Sequence, residues 1–464
     1  MRRKLGNIAL YALAILFLGY HLFPIGAGIS SKVADQTSAK TTIKSLTDSA
    51  QCVASDSAYD RLTYGNPLTD PLYTTLPYKD PAQLPVSGTN LVKNTGFKTI
   101  DPETKLPTSW DTSQVGNNNG KFSLTAGPLG TTAARVEVTQ YKDGDAKWVT
   151  EAMPVKPGEF YRFETQYRTS AYTYALVDFS HADGSHNYVI LQPVHPSGSS
   201  WQTYRTSFVV PANVVTMSVS QVIDQAGILD STGYKLVKEP LPKFNRGLVS
   251  LNFDDGWRSI YENGLPLFEK YDIKTTQYII SGVLGQPAYM TPKMIDEFEA
   301  KGHEIGSHTM QHEDLATTND ENAKKTLAGS RATLSHFYDW RVRNFAPPYG
   351  HYNDSVKNYV QQCYESMRGT ETGFNTAEYD RYDLKVMNIE LTTKPEEVAT
   401  AVRFARDHKL WLVLVYHEVD SKSESAYAAN LADLEKHIKT IKDEQVQVVT
   451  MAEGLAETLP QLKR

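Results

Sequence analysis

The stretch Gly247-Leu248-Val249-Ser250-Leu251-Asn252-Phe253-Asp254-Asp255-Gly256 is apolar in its first half and ends on two adjacent carboxylates and a glycine. This is the pattern of a buried strand that delivers its last side chains into a cleft. Two neighbouring aspartates cannot both be unpaired core, because an uncompensated buried carboxylate costs several kcal/mol. A metal or a shared proton relieves that cost; an exposed Asp-Gly turn is the competing reading. Further along, Gly302-His303-Glu304-Ile305-Gly306-Ser307-His308-Thr309-Met310-Gln311-His312 places His308 and His312 at i and i+4. They share one face if the backbone turns helically there, and two imidazoles with a carboxylate form a common divalent-metal set. Two more segments follow: Asn344-Phe345-Ala346-Pro347-Pro348-Tyr349-Gly350, and the apolar run Leu410-Trp411-Leu412-Val413-Leu414-Val415-Tyr416 ending on His417. Alone, His417 reads as a core histidine; at a strand end after the other three motifs it becomes a catalytic candidate.

The order Phe-Asp-Asp-Gly, His-x-x-x-His, Pro-Pro-Tyr-Gly and strand-terminal His resembles the NodB-homology polysaccharide deacetylases, carbohydrate esterase family 4, over residues 245–460. The resemblance implies an irregular barrel in which Asp255, His308 and His312 hold a metal. It makes Asp254 the base that takes a proton from the attacking water. The backbone N–H of Tyr349, beside Pro348, would face the oxyanion and substrate, and His417 would protonate the leaving amine. The products would be acetate and a glucosamine-type amine. Three protein ligands leave positions open for water and substrate, and imidazole with carboxylate suits a divalent ion, zinc first. One departure stands out: many members carry an arginine holding the base where this chain has Ala346. The aspartate that tunes the acid histidine is also not identifiable near Asn388-Ile389-Glu390. An O-acetyl esterase acting on a polymer such as xylan would use the same chemistry. A glycan-binding surface protein with a weakened site is the third reading, with Ala346 as its only support. His303 is expected to be structural, and His351 is a candidate for lining the cleft.

These residues need a scaffold, and from Gly247 onward strands and helices alternate. Strands are expected at 247–253, 275–281, 303–308, 343–346, 364–369, 384–391, 410–416 and 446–450. Helices are expected at 258–270, 291–301, 319–338, 353–363, 395–408 and 426–442. Alternation implies a parallel sheet, here closed into a barrel, with active residues at the C-terminal strand ends.

The 464 residues allow two or three domains. With 47 basic and 53 acidic residues the net charge is −6, so nucleic acid is not an expected partner. Met1-Arg2-Arg3-Lys4 precedes an apolar run to Phe23, so residues 1–29 are expected to be a signal peptide or an uncleaved N-terminal membrane anchor, with the anchor favoured. Either way the rest of the chain is expected outside the cytoplasm, attached to the membrane or secreted. Residues 30–85 read as a Ser/Thr/Pro-rich flexible linker. Residues 86–240 show short alternating runs split by Gly, Pro and Asp, the pattern of an antiparallel sandwich. They resemble galactose-binding-type jelly rolls of carbohydrate-binding modules. Trp148, Tyr172, Tyr174, Tyr188 and Trp201 are candidates for stacking on sugars, although sandwich aromatics are more often core. The fold expectation is therefore a β-sandwich followed by a distorted (β/α) barrel of NodB type at 245–464. Cys363 falls on the apolar face of a helix and reads as core; Cys52 lies in the linker without an evident role.

Overall fold

The computed structural model describes residues 84–462, apart from 195 and 338–340. The expected N-terminal signal or anchor, nearly all of the linker, and Cys52 lie outside the described residues. Among the described residues no helix is long and apolar enough to cross a membrane.

Two antiparallel sheets come first. One runs β1 (Trp110–Val115), β4 (Asp145–Thr150), β10 (Val214–Ile223), β7 (Thr173–His181), β8 (His186–Val194), with β5 (Met153–Pro154) pairing on β10. The other runs β2 (Asn118–Ala126), β3 (Thr132–Tyr141), β11 (Gly227–Glu239), β6 (Phe160–Thr169), β9 (Gln202–Val209). Their apolar faces meet in one core that contains Phe97, Trp110, Trp148, Phe163, Phe179 and Tyr234. Trp148 is thus a core residue, packed 6.3 Å from Phe97 and 6.1 Å from Phe122, and not a sugar platform. Trp201 carries the Arg168 guanidinium 5.0 Å from its ring centre. Tyr172 and Tyr188 remain exposed, Tyr174 partly so.

The second half is a closed parallel barrel. Its strands are β12 (Leu248–Phe253), β13 (Thr276–Ile279), β14 (Glu304–Ser307), β15 (Val342–Phe345), β16 (Ser366–Thr372), β17 (Leu384–Asn388) and β18 (Trp411–Tyr416). They neighbour one another in chain order, and β12 closes the ring by pairing with both β13 and β18. The expected eighth strand shrinks to β19 (Gln447–Val448), which pairs with the start of β12 and stays outside the ring. Outside lie α1 (Leu265–Lys270), α2 (Pro292–Ala300), α3 (Asp320–Ala332), α4 (Asp354–Cys363), α5 (Pro395–His408), α6 (Leu431–Asp443) and α7 (Met451–Thr458). Helix starts follow capping chemistry: Asn319, Asn353 and Asn430 each accept a backbone N–H of the first turn. The cap at Asn430 starts α6 later than the apolar pattern suggested, leaving 426–430 as a loop.

Strand β12 shows how the barrel aims its side chains. Alternate residues of a strand face opposite ways. Val249, Leu251 and Phe253 join the layer between sheet and helices, where Phe253 meets Phe268 of α1 at 5.1 Å. Leu248 and Ser250 face the interior with Trp411, whose indole N–H donates to Ser250 Oγ at 2.9 Å. Every residue of β12 is buried, as a strand covered on both faces requires. The sandwich is joined to the barrel by polar contacts: Arg162, which also pairs with Glu239 of its own sheet, pairs with Glu378, and Lys385 Nζ donates to Ser207 O at 2.7 Å.

Helix α4 presents Val356, Tyr359, Val360 and Cys363 to the core. Cys363 is buried in that core, as its position suggested, and it is disulfide-bonded. The only other cysteine of the chain is Cys52.

Candidate metal centre and acid–base cleft

At the C-terminal end of the barrel Asp255, His308 and His312 converge, with one ligand atom from each lying within 4.8 Å of the others. Strict alternation would send Asp254 and Asp255 to opposite sides of the sheet. They share the mouth because the chain leaves β12 through two left-handed residues, Asp255 at φ 71° and Gly256 at φ 77°. A left-handed aspartate is uncommon, and its cost is sustained here by a defined position. The two histidines are not on a helix, contrary to the i, i+4 expectation. His308 directly follows β14, and the chain then folds through Thr309 at φ 64° and His312 at φ 62°. The His312 N–H donates to Thr309 Oγ1 at 3.1 Å, and the rings end 5.1 Å apart.

These side chains fit a divalent cation. The Nε2 atoms of His308 and His312 approach Asp255 Oδ1 at 3.4 and 3.3 Å, yet that buried oxygen has no aligned hydrogen-bond donor. His308 Nδ1 lies 2.7 Å from the carbonyl of Ala346; only an N–H can bond a carbonyl, so the lone pair is left on Nε2, facing Asp255. The other oxygen, Asp255 Oδ2, accepts the indole N–H of Trp257 at 2.9 Å. Burial pushes the Asp255 carboxyl up, but the two imidazoles outweigh it and hold the group well below the ordinary range.

Beside this trio, Asp254 is 3 % exposed and is paired through Oδ2 with the guanidinium of Arg368 on β16. Arg368 is itself 1 % exposed and sits 5.1 Å over the ring of Tyr278. Burial raises the Asp254 pKa, but the positive charge of Arg368 prevails and the carboxyl is lowered. Asp254 Oδ1 is left without a partner. His417 follows β18, with Nε2 3.8 Å from Asp254 Oδ2. Burial lowers its pKa despite the two aspartates.

Arg368 was not expected, and it answers the missing arginine. Strands β15 and β16 pair with Asn344 opposite Ser366 and Phe345 opposite Met367. The next step along both strands sets Ala346 beside Arg368. The guanidinium that holds Asp254 thus comes from β16, while the position after β15 carries only a methyl group. A lone arginine inside the expected strand 364–369 was the available signal.

The rim gathers the remaining candidates. Pro348 is buried, and Tyr349 adopts a left-handed conformation at φ 60° with 52 % of its surface exposed. Its ring lies 4.6 Å from His312. His351 pairs with Asp314 at 3.0 Å on the exposed edge, 5.8 Å from the Tyr349 ring. On the opposite side Tyr427, 46 % exposed, lies 5.2 Å from His417; it comes from the loop expected to be helical. His303 is structural: it is buried, with Nδ1 accepting the Thr275 N–H at 3.1 Å.

A closed parallel barrel thus carries at its C-terminal mouth an Asp-His-His cluster that could hold a metal ion, beside a buried Asp–Arg pair. Residues 242–364 match the polysaccharide deacetylase family model, and the barrel matches the NodB type of carbohydrate esterase family 4. A Bacillus subtilis protein, YxkH, named for the polysaccharide deacetylases, is 25% identical over 137 residues, 29% of this chain and 49% of that protein. The poly-β-1,6-N-acetyl-D-glucosamine N-deacetylase of Staphylococcus aureus is 31% identical over 153 residues, 29% of this chain and 50% of that enzyme. The chain thus spans about half the length of these relatives. Among solved structures, a family 4 acetyl xylan esterase from Clostridium thermocellum with a cobalt ion is similar at 22% identity and a TM-score of 0.35, over 44% of this chain and 89% of that one.

Proposed function

We propose that this protein is an extracytoplasmic, metal-dependent hydrolase that removes N-acetyl groups from a GlcNAc-containing polysaccharide. The observation that carries the reading is the convergence, in one cleft, of Asp255, His308 and His312 with the Arg368-held Asp254 and with His417. Asp255, His308 and His312 would hold the divalent ion, with zinc first among candidates. When bound, such an ion polarises a carbonyl and lowers the pKa of water.

The chain's own groups supply the rest. Asp254, kept ionised by Arg368 and with Oδ1 free, is placed to take a proton from the attacking water. His417, with Nε2 3.8 Å from that base, would return a proton to the departing nitrogen, which cannot leave as an amide anion. The N–H of Tyr349, in its left-handed turn, would donate to the developing oxyanion. Tyr349 and Tyr427 offer apolar faces on either side of the cleft, where a pyranose ring can stack. The N-acetyl preference draws on the substrate in the name of the Staphylococcus aureus relative.

Location outside the cytoplasm is supported by the basic-then-apolar start of the chain and by the disulfide at Cys363, since such bonds persist in oxidising compartments. The sandwich, with Tyr172 and Tyr188 exposed, is proposed to hold the polymer near the barrel.

Acetate release from N-acetylglucosamine oligomers, from acetylated xylan and from each after chelation tests the proposal. Chelator-sensitive release from the amide substrate is expected. Release from xylan alone would move the substrate to O-acetyl esters, and no release from either would sink hydrolysis.

A further inference from the structure

We propose that Trp257 is a positioning residue for the metal ligand Asp255, its indole N–H fixing the plane of the carboxylate so that one oxygen faces the two imidazoles; this rests on the metal-binding reading above.

An aspartate carboxylate turns about its last bond in a broad, two-fold well. A half-turn only exchanges two equivalent oxygens, but intermediate angles leave neither oxygen facing His308 and His312. The Nε1–H of Trp257 donates to one oxygen, Oδ2, at 2.9 Å, which holds the plane of the group with the other, Oδ1, 3.4 and 3.3 Å from the two Nε2 atoms. A hydrogen bond to a ligand's outer atom orients that ligand and tunes its basicity.

The indole is itself held. It stacks on Tyr289 with ring centres 4.8 Å apart and planes at 21°. The backbone on both sides is tied to the facing loop: the Met290 N–H donates to Gly256 O at 2.8 Å and the Arg258 N–H to Ala288 O at 2.9 Å. Arg258 Nε adds a bond to Pro287 O at 2.8 Å. These contacts flank Trp257, immediately after the left-handed Asp255 and Gly256. Trp257 therefore connects a strained turn to a fixed loop, and the ligand orientation is set before any ion arrives.

The test is zinc affinity of the full chain, stripped by chelation and titrated against a chromophoric chelator. Trp257→Phe keeps a ring for Tyr289 and removes only the N–H. It should bind zinc about 10–100-fold more weakly, the usual cost of losing an outer-shell partner, with an unchanged unfolding midpoint of the metal-free protein. Tyr289→Leu keeps the N–H and removes the stack, and should lose less than tenfold. Unchanged affinity in Trp257→Phe overturns the inference, as does an equal loss in both variants, which would assign the effect to packing. If Trp257→Phe also shifts the metal-free midpoint, a smaller zinc loss in Tyr289→Leu still supports the N–H. Failure of the wild-type chain to bind zinc would instead remove the metal reading itself.

Discussion

Replacing Arg368 by methionine is the most direct challenge to the cleft. Methionine fills part of the volume without charge, so Asp254 would be a buried carboxylate with no cation beside it. Breaking a buried pair from one side costs about 3–5 kcal/mol. The alternative is for Asp254 to take up a proton at neutral pH, and three pKa units correspond to about 4 kcal/mol, so both routes end near the same figure. For a unit of this size each kcal/mol lowers the unfolding midpoint by about 2–4 °C. The metal-free variant should therefore melt about 6–20 °C lower than wild type. Since the base would be protonated or displaced, acetate release should fall about 10²–10⁴-fold. Bound metal should persist, because Asp255, His308 and His312 make no contact with Arg368 that the substitution removes. Calorimetry, elemental analysis and an acetate assay read the three quantities. A variant with wild-type melting and wild-type turnover would refute the idea that Arg368 sustains the base.

Three further expectations follow from single features. Asp255→Asn should lose metal and activity together, whereas Asp254→Asn should keep the metal and lose about 10²–10⁴-fold in rate; the reverse pattern in elemental analysis would exchange the two roles. His303 and His437 are buried and each is pushed down to about 4, mainly by burial. Between the ordinary value of 6.5 and 4 the unfolded chain binds protons that the folded one refuses. Their stabilisation is thus complete above pH 6.5 and lost as pH falls toward 4, about 3 kcal/mol for each. Urea midpoints that stay flat from pH 6.5 to 5 would contradict this. Peptide mapping without reductant should recover Cys52 joined to Cys363, the chain's two cysteines; two alkylatable thiols in the native protein would exclude the link.

Much of the cleft was legible because each motif sits where an apolar run stops. Asp254 and His417 are the first residues beyond β12 and β18, and His308 the first beyond β14. A strand covered on both faces reads as a continuous apolar run, so its end is visible in a string of letters. Backbone sign is not visible in that way. The His-x-x-x-His spacing suggested a helical turn, but two positive-φ residues make the approach instead, and neither Thr309 nor His312 announces that conformation. The loop 426–430 has helical composition, and the Asn430 cap decides the matter by starting the helix after it. Arg368 was hidden for another reason. Its partner lies 114 residues away on a strand that is not its neighbour, and no local periodicity encodes a contact across a barrel.

The register of β15 and β16 sets positions 346 and 368 side by side, so the charge that holds Asp254 depends on both. A buried layer with space for a single guanidinium admits it from either strand, but two would repel and none would strand the aspartate. Moving the charge back to position 346 would therefore need two substitutions, with each single intermediate disfavoured: Ala346→Arg first crowds the layer, and loss of Arg368 first empties it. A motif lacking its customary arginine therefore need not denote a dead site, because a guanidinium on the neighbouring strand can hold the same carboxylate.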